Sequence, residues 1–309
     1  MTGFFNVYKE AGYTSHDVVA IIRKLTRGKV GHTGTLDPQA EGVLPICLGR
    51  ATKLADMIMG HDKSYIAEVV LGLATDTGDM TGQVLKRSPV DFDEAAITRV
   101  VEGFSGPQMQ VPPMYSAIKI GGKKLYELAR KGQTIERKPR EVNIAAIKVL
   151  EFHAEKNSFV IDVTCSKGTY IRSLCMDIGE ALGTVAAMGS LLRTRSGAFS
   201  LDTAVKLGEI KEAAGNGCLS NMILPVEDVL PFPRAYAKAE GLSMAKNGNP
   251  LPIGLVDIYD TCSAYAIPGQ AQDDGNRACM FWLHGPDGLI GLYSIDPSGQ
   301  GKLRLEVMM

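Results

Sequence analysis

At 309 residues, with 45% hydrophobic and 22% charged residues, the chain has the make-up of a globular protein with room for two domains. No apolar run reaches the ~18 residues of a membrane span, and the six cysteines are scattered with no CxxC pair, which speaks against a disulfide framework or a zinc knuckle. The formal net charge of −1 argues at first against a nucleic-acid partner, but it is unevenly spread. Residues 119–140 carry eight Lys/Arg against two Asp/Glu, 23–29 carry four basic residues and no acid, and 226–309 carry six basic against ten acidic residues. Two basic clusters in the same part of a near-neutral chain describe a local footprint for a polyanion.

The opening "MTGFFNVYKEAG" lacks a basic stretch followed by a long apolar core, so no secretory leader is expected, and reduced thiols fit a cytoplasmic protein. "SHDVVAIIRK" (15–24) predicts a helix capped by Ser15 or Asp17, with Val18, Ile21 and Ile22 on one face. Residues 31–42 predict a glycine-rich loop, "GVLPICLG" (42–49) a buried strand, and "ATKLADMIMG" (51–60) a helix stopped by Gly60. "SYIAEVVLGLAT" (64–75) alternates as a strand does and leads into a turn at 76–84. Residues 91–106 predict a helix with Ile97, Val100, Val101 and Phe104 on one face; 122–132 predict a short basic helix ending at Gly132. Two strands follow, "EVNIAAIKVLEFHAE" and "SFVIDVTCSKG", and then a helix over 169–182.

Strands and helices in irregular order predict an α+β fold on a mixed or antiparallel central sheet flanked by helices. The proline-rich "LPVEDVLPFPR" (224–234) marks a boundary. It separates a larger domain over 1–230, with a basic insertion at about 105–140, from a small β-barrel-like domain over 231–309.

Taken alone, "GHTGTLDPQA" (31–40) is a turn, since Asp-Pro initiates turns and the glycines tolerate unusual backbone angles. The carboxylate of Asp37 held out for chemistry is the alternative. The Gly-Thr repeat lacks the Gly-Lys-Ser/Thr ending of a phosphate loop, and His16-Asp17 has no G-x-S-x-G elbow to complete a hydrolase triad.

Read with its neighbours, "GHTGTLDPQAEGVLPICLGRATKL" (31–54) resembles the signature of the tRNA pseudouridine synthase B family. "DKSYIAEVVLGLATDTGDMTG" (62–82), "VPPMYSAIKIGGKKLYELARKG" (111–132) and "SKGTYIRSLCMDIGEALG" (166–183) follow in the family's order and spacing, so the resemblance spans most of residues 3–200. It implies an isomerase that converts the uridine at position 55 of the tRNA T loop to pseudouridine. It also implies the pseudouridine synthase fold, a PUA-like C-terminal domain, the T arm of tRNA as partner, no cofactor, no metal, and no obligate protein partner. Pseudouridine formation breaks the C1′–N1 bond, turns the base and rejoins it through C5. A carboxylate serves this by adding to the base, by bonding to C1′, or by taking the C2′ proton.

The resemblance assigns the catalytic role to Asp37 and the aspartate-pairing role to Arg172. Tyr65 matches the tyrosine that stacks on the flipped base, Tyr170 and Leu191 match pocket residues that contact the uracil, and His32 matches a histidine that moves into the RNA. Lys119, Lys123, Lys124, Arg130 and Lys131 fall in a segment that folds over the T arm, and are expected to contact phosphates. Three positions depart from the pattern: Glu10 replaces a proline after Lys9, Ala187 a histidine, and Leu192 an arginine. The last two are expected to affect docking. Two other readings are kept: a synthase aimed at another uridine, and an RNA-binding or tRNA-folding protein whose catalysis is secondary.

Overall fold

The computed structural model describes residues 1–116, 118–258, 280–296 and 301–309. The side chains of Lys119, Ile120 and Lys124 lie outside what is described. A ten-stranded mixed sheet forms the larger part, running 205–206, 3–9, 41–48, 186–196, 63–71, 158–165, 140–153 and 106–110 in spatial order. Val30–His32 pairs with the strand Glu41–Leu48, and Phe199–Ser200 pairs with Ala186–Ser196. Most neighbours are antiparallel, but Ala186–Ser196 meets Glu41–Leu48 in parallel over only two residue pairs, Leu192 with Glu41 and Arg193 with Gly42. The sheet is therefore barely joined at its middle, and the loop 33–40 enters there.

Periodicity explains the elements on either side of that seam. In Lys63–Leu71 ("KSYIAEVVL") Tyr65, Ala67 and Val69 are buried and alternate with half-buried Ile66, Glu68 and Val70, so one face meets the core. This strand stops at Gly72, whose φ of 80° breaks the predicted 64–75 strand into two; Leu73–Thr75 pairs instead with Val84–Arg87. The first helix, Ser15–Thr26, is capped by Thr14 in a capping box with Asp17, where Ser15 or Asp17 was the predicted cap. Ser15 is buried and its hydroxyl serves another purpose, described below. The predicted 51–60 helix is a 3₁₀ turn over Gly49–Leu54 followed by Ala55–Met59, and the 91–106 helix is Glu94–Glu102, capped by Asp93.

The predicted basic helix over 122–132 is a larger departure. A tight hairpin pairs Lys119–Ile120 with Lys123–Lys124 through Gly121 and Gly122, both at positive φ, and only Leu125–Ala129 is helical. Two consecutive left-handed residues at 121–122 favour the hairpin turn over the start of a helix.

The last 80 or so residues build a six-stranded, nearly closed sheet in the order 251–252, 302–308, 288–295, 280–285, 234–237, 256–258. The two sheets share a hydrophobic cluster in which Trp282, Leu292 and Val307 pack with Phe4, Val43, Cys47, Phe199 and Leu230. Trp282 is the single tryptophan of the chain and is fully buried; its indole N–H donates to the Leu230 carbonyl at 2.8 Å. Trp282→Ala is expected to cost about 3–5 kcal/mol through the lost volume and the orphaned carbonyl. Urea unfolding followed by circular dichroism measures it, and a loss under ~1 kcal/mol would mean the cluster closes around the gap.

Among the described residues no helix is long and apolar enough to cross a membrane.

Candidate active site

Asp37 sits in the loop between Val30–His32 and Glu41–Leu48, and hydrogen bonds fix the residue on each side of it. The Ser15 hydroxyl donates to the Leu36 carbonyl at 3.1 Å and accepts from the Leu36 N–H at 2.9 Å, pinning the residue before Asp37 to the first helix. Pro38, the residue after it, accepts from the Gly12 N–H at 2.9 Å and from Lys9 Nζ at 3.0 Å. The turn of the sequence reading is thus real, and it is clamped on both flanks of its carboxylate.

The carboxylate itself is held by Arg172. Arg172 Nε lies 2.9 Å from Asp37 Oδ2, with the arginine side chain 5% exposed and the aspartate 36% exposed. The other two guanidinium nitrogens are occupied as well, Nη1 donating to the Thr77 carbonyl at 2.9 Å and Nη2 to the Tyr115 carbonyl at 2.8 Å. A planar five-donor fork can do this; an ammonium cannot. Arg172 is aimed by its helix, Ile171–Ala181, whose preceding residue is gripped by Gln110. The Tyr170 N–H donates to Gln110 Oε1 at 2.7 Å, and Gln110 Nε2 donates to the Tyr170 carbonyl at 3.0 Å.

Burial raises the pKa of Asp37 above its ordinary value of 3.8, and Asp79 adds to this, while Arg172 and Lys9 pull the other way. Asp79 is kept ionised against its own burial by hydrogen bonds from Thr81 and Thr77. The result is a partly exposed carboxylate, oriented by one guanidinium on Oδ2, whose other oxygen meets no hydrogen-bond donor among the described residues.

Tyr65 and Tyr170 both lie close enough to feel the Asp37 charge, and burial raises the pKa of each phenol. Tyr65 is buried on Lys63–Leu71; Tyr170 is half-buried at the helix entry. Leu191, opposite Ala67, packs half-buried against the central core on the strand that carries Arg193. His32 stands apart from the Asp37–Arg172 pair. Its ring packs edge-on against His16 with centroids 5.9 Å apart, its Nδ1 accepts from the Gly34 N–H, and burial lowers its pKa. Arg172, Tyr65 and Tyr170 thus all interact with Asp37, while among the described residues His32 and Leu191 make no hydrogen bond or ion pair with Asp37 or Arg172.

The basic residues lie on the 105–140 excursion. Lys123, Arg130 and Lys131 are exposed, and Arg130 stands 5.5 Å from the centroid of the Tyr126 ring. Lys119 and Lys124 face each other across the hairpin by backbone register, their side chains being outside what is described. The root of the excursion is tied to the same helix as Asp37: the Ser173 hydroxyl donates to the Val111 carbonyl at 2.9 Å, next to the Arg172–Tyr115 bond. Of the departures, Ala187 is fully buried opposite Val70 and offers no surface to an RNA, whereas Leu192 is half-buried.

The sequence reading missed Gln110, Lys9 and Arg193. Lys9 is fully buried, among the described residues no carboxylate lies in ion-pair range of it, and burial lowers its pKa to about 8. Nothing in a run such as "VYKEAG" signals a lysine turned inwards, because the strand alternation that buries Val7 buries position 9 whatever residue occupies it. Among the described residues no group of three or more His, Cys, Asp or Glu is placed to hold a metal ion.

Comparison with known proteins adds to this geometry. Residues 23–171 match the family model "TruB family pseudouridylate synthase (N terminal domain)", and 172–231 match "tRNA pseudouridylate synthase B C-terminal domain". The Asp37–Arg172 pair thus joins the two matched segments. The chain is 49% identical over 283 residues to the tRNA pseudouridine synthase B of Alkaliphilus oremlandii, covering 91% of this chain and 90% of that protein. It is 47% identical over 236 residues to the protein of the same name from Bacillus subtilis, covering 74% of this chain and 76% of the relative. Among solved structures, a chain of a Cbf5-Nop10-Gar1 complex superposes with a TM-score of 0.70 at 27% identity, covering 99% of this chain and 84% of that one. A chain from an H/ACA RNP bound to a substrate RNA containing 2'-deoxyuridine gives 0.69 at 25% identity, covering 99% and 83%.

Proposed function

The chain belongs to the TruB family of pseudouridylate synthases and isomerises uridine in tRNA, and from that premise we propose that its target is the uridine at position 55 of the T loop, with Asp37 as the reacting carboxylate. One observation carries the assignment of Asp37: it is the carboxylate that a buried arginine orients while leaving an oxygen free, at the seam of the sheet. Its two neighbours in the loop are clamped, so the carboxylate meets a substrate without first having to be ordered.

A uridine inside a folded T loop is stacked and must be turned out at a cost of a few kcal/mol. Tyr65 supplies a rigid aromatic face beside Asp37 on which the flipped uracil stacks, and Tyr170 and Leu191 close the pocket around it. Arg172 holds the carboxylate in its charged form as the C1′–N1 bond breaks. The base then turns and rejoins C1′ through C5; C5 gives up its proton and N1 acquires one, so the atoms balance without an external reactant. His32, on the far side of the turn, meets the RNA next to the flipped nucleotide. We assign residues 1–230 to the catalytic domain and 231–309 to a PUA-like domain, and the chain acts alone in the cytoplasm.

The test uses the purified chain by itself with unmodified tRNA transcript, without metal or cofactor, and maps pseudouridine by carbodiimide treatment and primer extension. Modification at the T-loop uridine supports the reading. Modification elsewhere would move the target, and none at all would leave tRNA binding as the main role.

The exposed cations of the hairpin and its helix are assigned to phosphate contacts. Lys123→Ala with Lys131→Ala is expected to raise the KM for tRNA and to reduce the slope of log Kd against log salt by about 1–2, leaving the chemical step nearly unchanged. An unchanged salt slope would show these side chains to be solvated in the complex.

A further inference from the structure

We propose that Arg193 is a positioning residue for the isomerisation, one guanidinium holding the loop of Asp37 in a fixed place beside its cross-strand partner Tyr65. The proposal rests on the reading that Asp37 is the reacting carboxylate.

Arg193 is 1% exposed, near the end of Ala186–Ser196, and among the described residues no carboxylate lies in ion-pair range of it. Burying a guanidinium without a counter-ion is costly, and an apolar side chain would fill the same space without that cost. What the arginine gains instead is a set of backbone carbonyls from the Asp37 loop and the strand that follows it. Nε donates to the Val43 carbonyl at 2.7 Å, Nη2 to the Gly34 carbonyl at 3.1 Å, and Nη1 reaches the Thr35 carbonyl at 3.5 Å. Gly34 and Thr35 lie before Asp37 in the chain and Val43 lies after it. A single planar group thus ties the two arms of the catalytic turn together.

The same residue is the register partner of Tyr65 across the neighbouring antiparallel strands, and its charge pulls the Tyr65 phenol's pKa down against the burial that raises it. Its charge is also felt by His32, Lys9 and Lys63. Two backbone features allow this reach. The register of Ala186–Ser196 against Lys63–Leu71 shifts between Arg193 and Arg195, and such a bulge re-aims a side chain. On the other side Gly42, at φ 102°, approaches so closely that a Cβ there would collide with the Arg193 carbonyl oxygen. The seam of the sheet is thereby closed on Arg193 from both sides.

Asp37 is accordingly fixed from two directions, by Arg172 on its carboxylate and by Arg193 on its backbone, and the stacking tyrosine is referenced to the second of these. Loosening Arg193 shifts the carboxylate relative to the base that Tyr65 holds. A misplacement of about 1 Å costs on the order of 100-fold in rate.

The test compares Arg193→Met and Arg193→Lys with wild type in single-turnover pseudouridine formation on unmodified tRNA. It also measures tRNA affinity by filter binding and folding by thermal melting. The expected result is a rate about 100-fold lower for Met and about 10-fold lower for Lys, with Kd within about threefold of wild type. Arg193→Lys keeps the buried charge and carries the test if the Met variant does not fold. Because Arg193 and Tyr65 are cross-strand neighbours, adding Tyr65→Phe to Arg193→Lys should lower the rate by less than the product of the two single losses. A purely structural arginine would lower the melting temperature without that coupling. A folded Arg193→Lys within about twofold of the wild-type rate, or losses that multiply, would overturn the proposal. Asp37→Asn in the same assay separates the two readings. If it stays active, the assignment of Asp37 fails; if it is inactive while Arg193→Lys runs at full speed, only the positioning role fails.

Discussion

Asp37→Asn is expected to lower the single-turnover rate of pseudouridine formation by at least ~10⁴-fold while leaving tRNA affinity within about threefold. That factor corresponds to about 5.4 kcal/mol of lost transition-state stabilisation, more than the turn geometry alone accounts for. The amide keeps the size of the carboxylate and an oxygen for Arg172 Nε, so the loop clamps at Leu36 and Pro38 stay in place. What disappears is the negative charge and its nucleophilic or basic oxygen. The wild-type pH profile carries a second signature. Burial raises the pKa of Asp37 above 3.8, so the carboxylate is neutralised at a higher pH than a free aspartate. As pH falls through that raised value the rate should drop by about tenfold per unit, and this limb should be missing from the residual activity of Asp37→Asn. An Asn variant with near-wild-type rate would remove Asp37 from the chemistry.

Arg172→Met is expected to cost about 100-fold or more in the same rate, with the acidic limb displaced further upwards. The sign follows from the charges. The guanidinium favours the ionised carboxylate and pulls the Asp37 pKa down; without it, burial and Asp79 act upwards against Lys9 alone. More of the enzyme is then protonated at any given acidic pH, and the profile of kcat moves to higher pH. The substitution also frees the carbonyls of Thr77 and Tyr115. Tyr115 lies at the root of the basic excursion, so limited trypsin digestion of the variant should cut within 119–140 faster than in wild type. A pH limb that does not move would mean the pair is an orientation device with no electrostatic share in catalysis. Arg172→Lys keeps a charge but can reach at most part of the three-acceptor set, and should fall between wild type and Met.

The two arginines show where reading the chain stops and reading the fold begins. Arg172 was found through the segment "TYIRSLCMDIGEALG", whose place in an ordered series of motifs attaches it to an aspartate 135 positions earlier. Arg193 sits in "LLRTRSG" and carries no such mark. On a strand its alternation only says which face it occupies, and an arginine on a strand of unknown burial is by default a solvated residue. Its role appears once the two-pair parallel seam, the bulge after it and the close approach of Gly42 are in place. Gln110 is similar: the residue is ordinary in "QMQVPP", and only the pairing of 106–110 with 140–153 brings it to the backbone of Tyr170.

Local chemistry decided the elements with a strong period or a strong stop. The first helix, the strand Lys63–Leu71 and the helix of Arg172 lie within a few residues of where their apolar spacing places them. Lys, Leu, Tyr and Glu make 122–132 compatible with a helix, but Gly121 and Gly122 at positive φ turn 119–124 into a hairpin and leave only Leu125–Ala129 helical.

The candidates for the reacting groups, and their order, are legible in the chain through the resemblance of four ordered segments: a carboxylate in a turn, two tyrosines, an arginine at a helix start, and basic residues concentrated between the carboxylate and the arginine. Residue types and spacing alone leave Asp37 a turn residue. The distances among the groups, the burial that raises one carboxyl and lowers one lysine, and the arginine that closes the seam come from packing between segments more than a hundred residues apart. Long-range packing sets them because desolvation and hydrogen-bond geometry depend on which backbones meet, and no local pattern encodes that meeting.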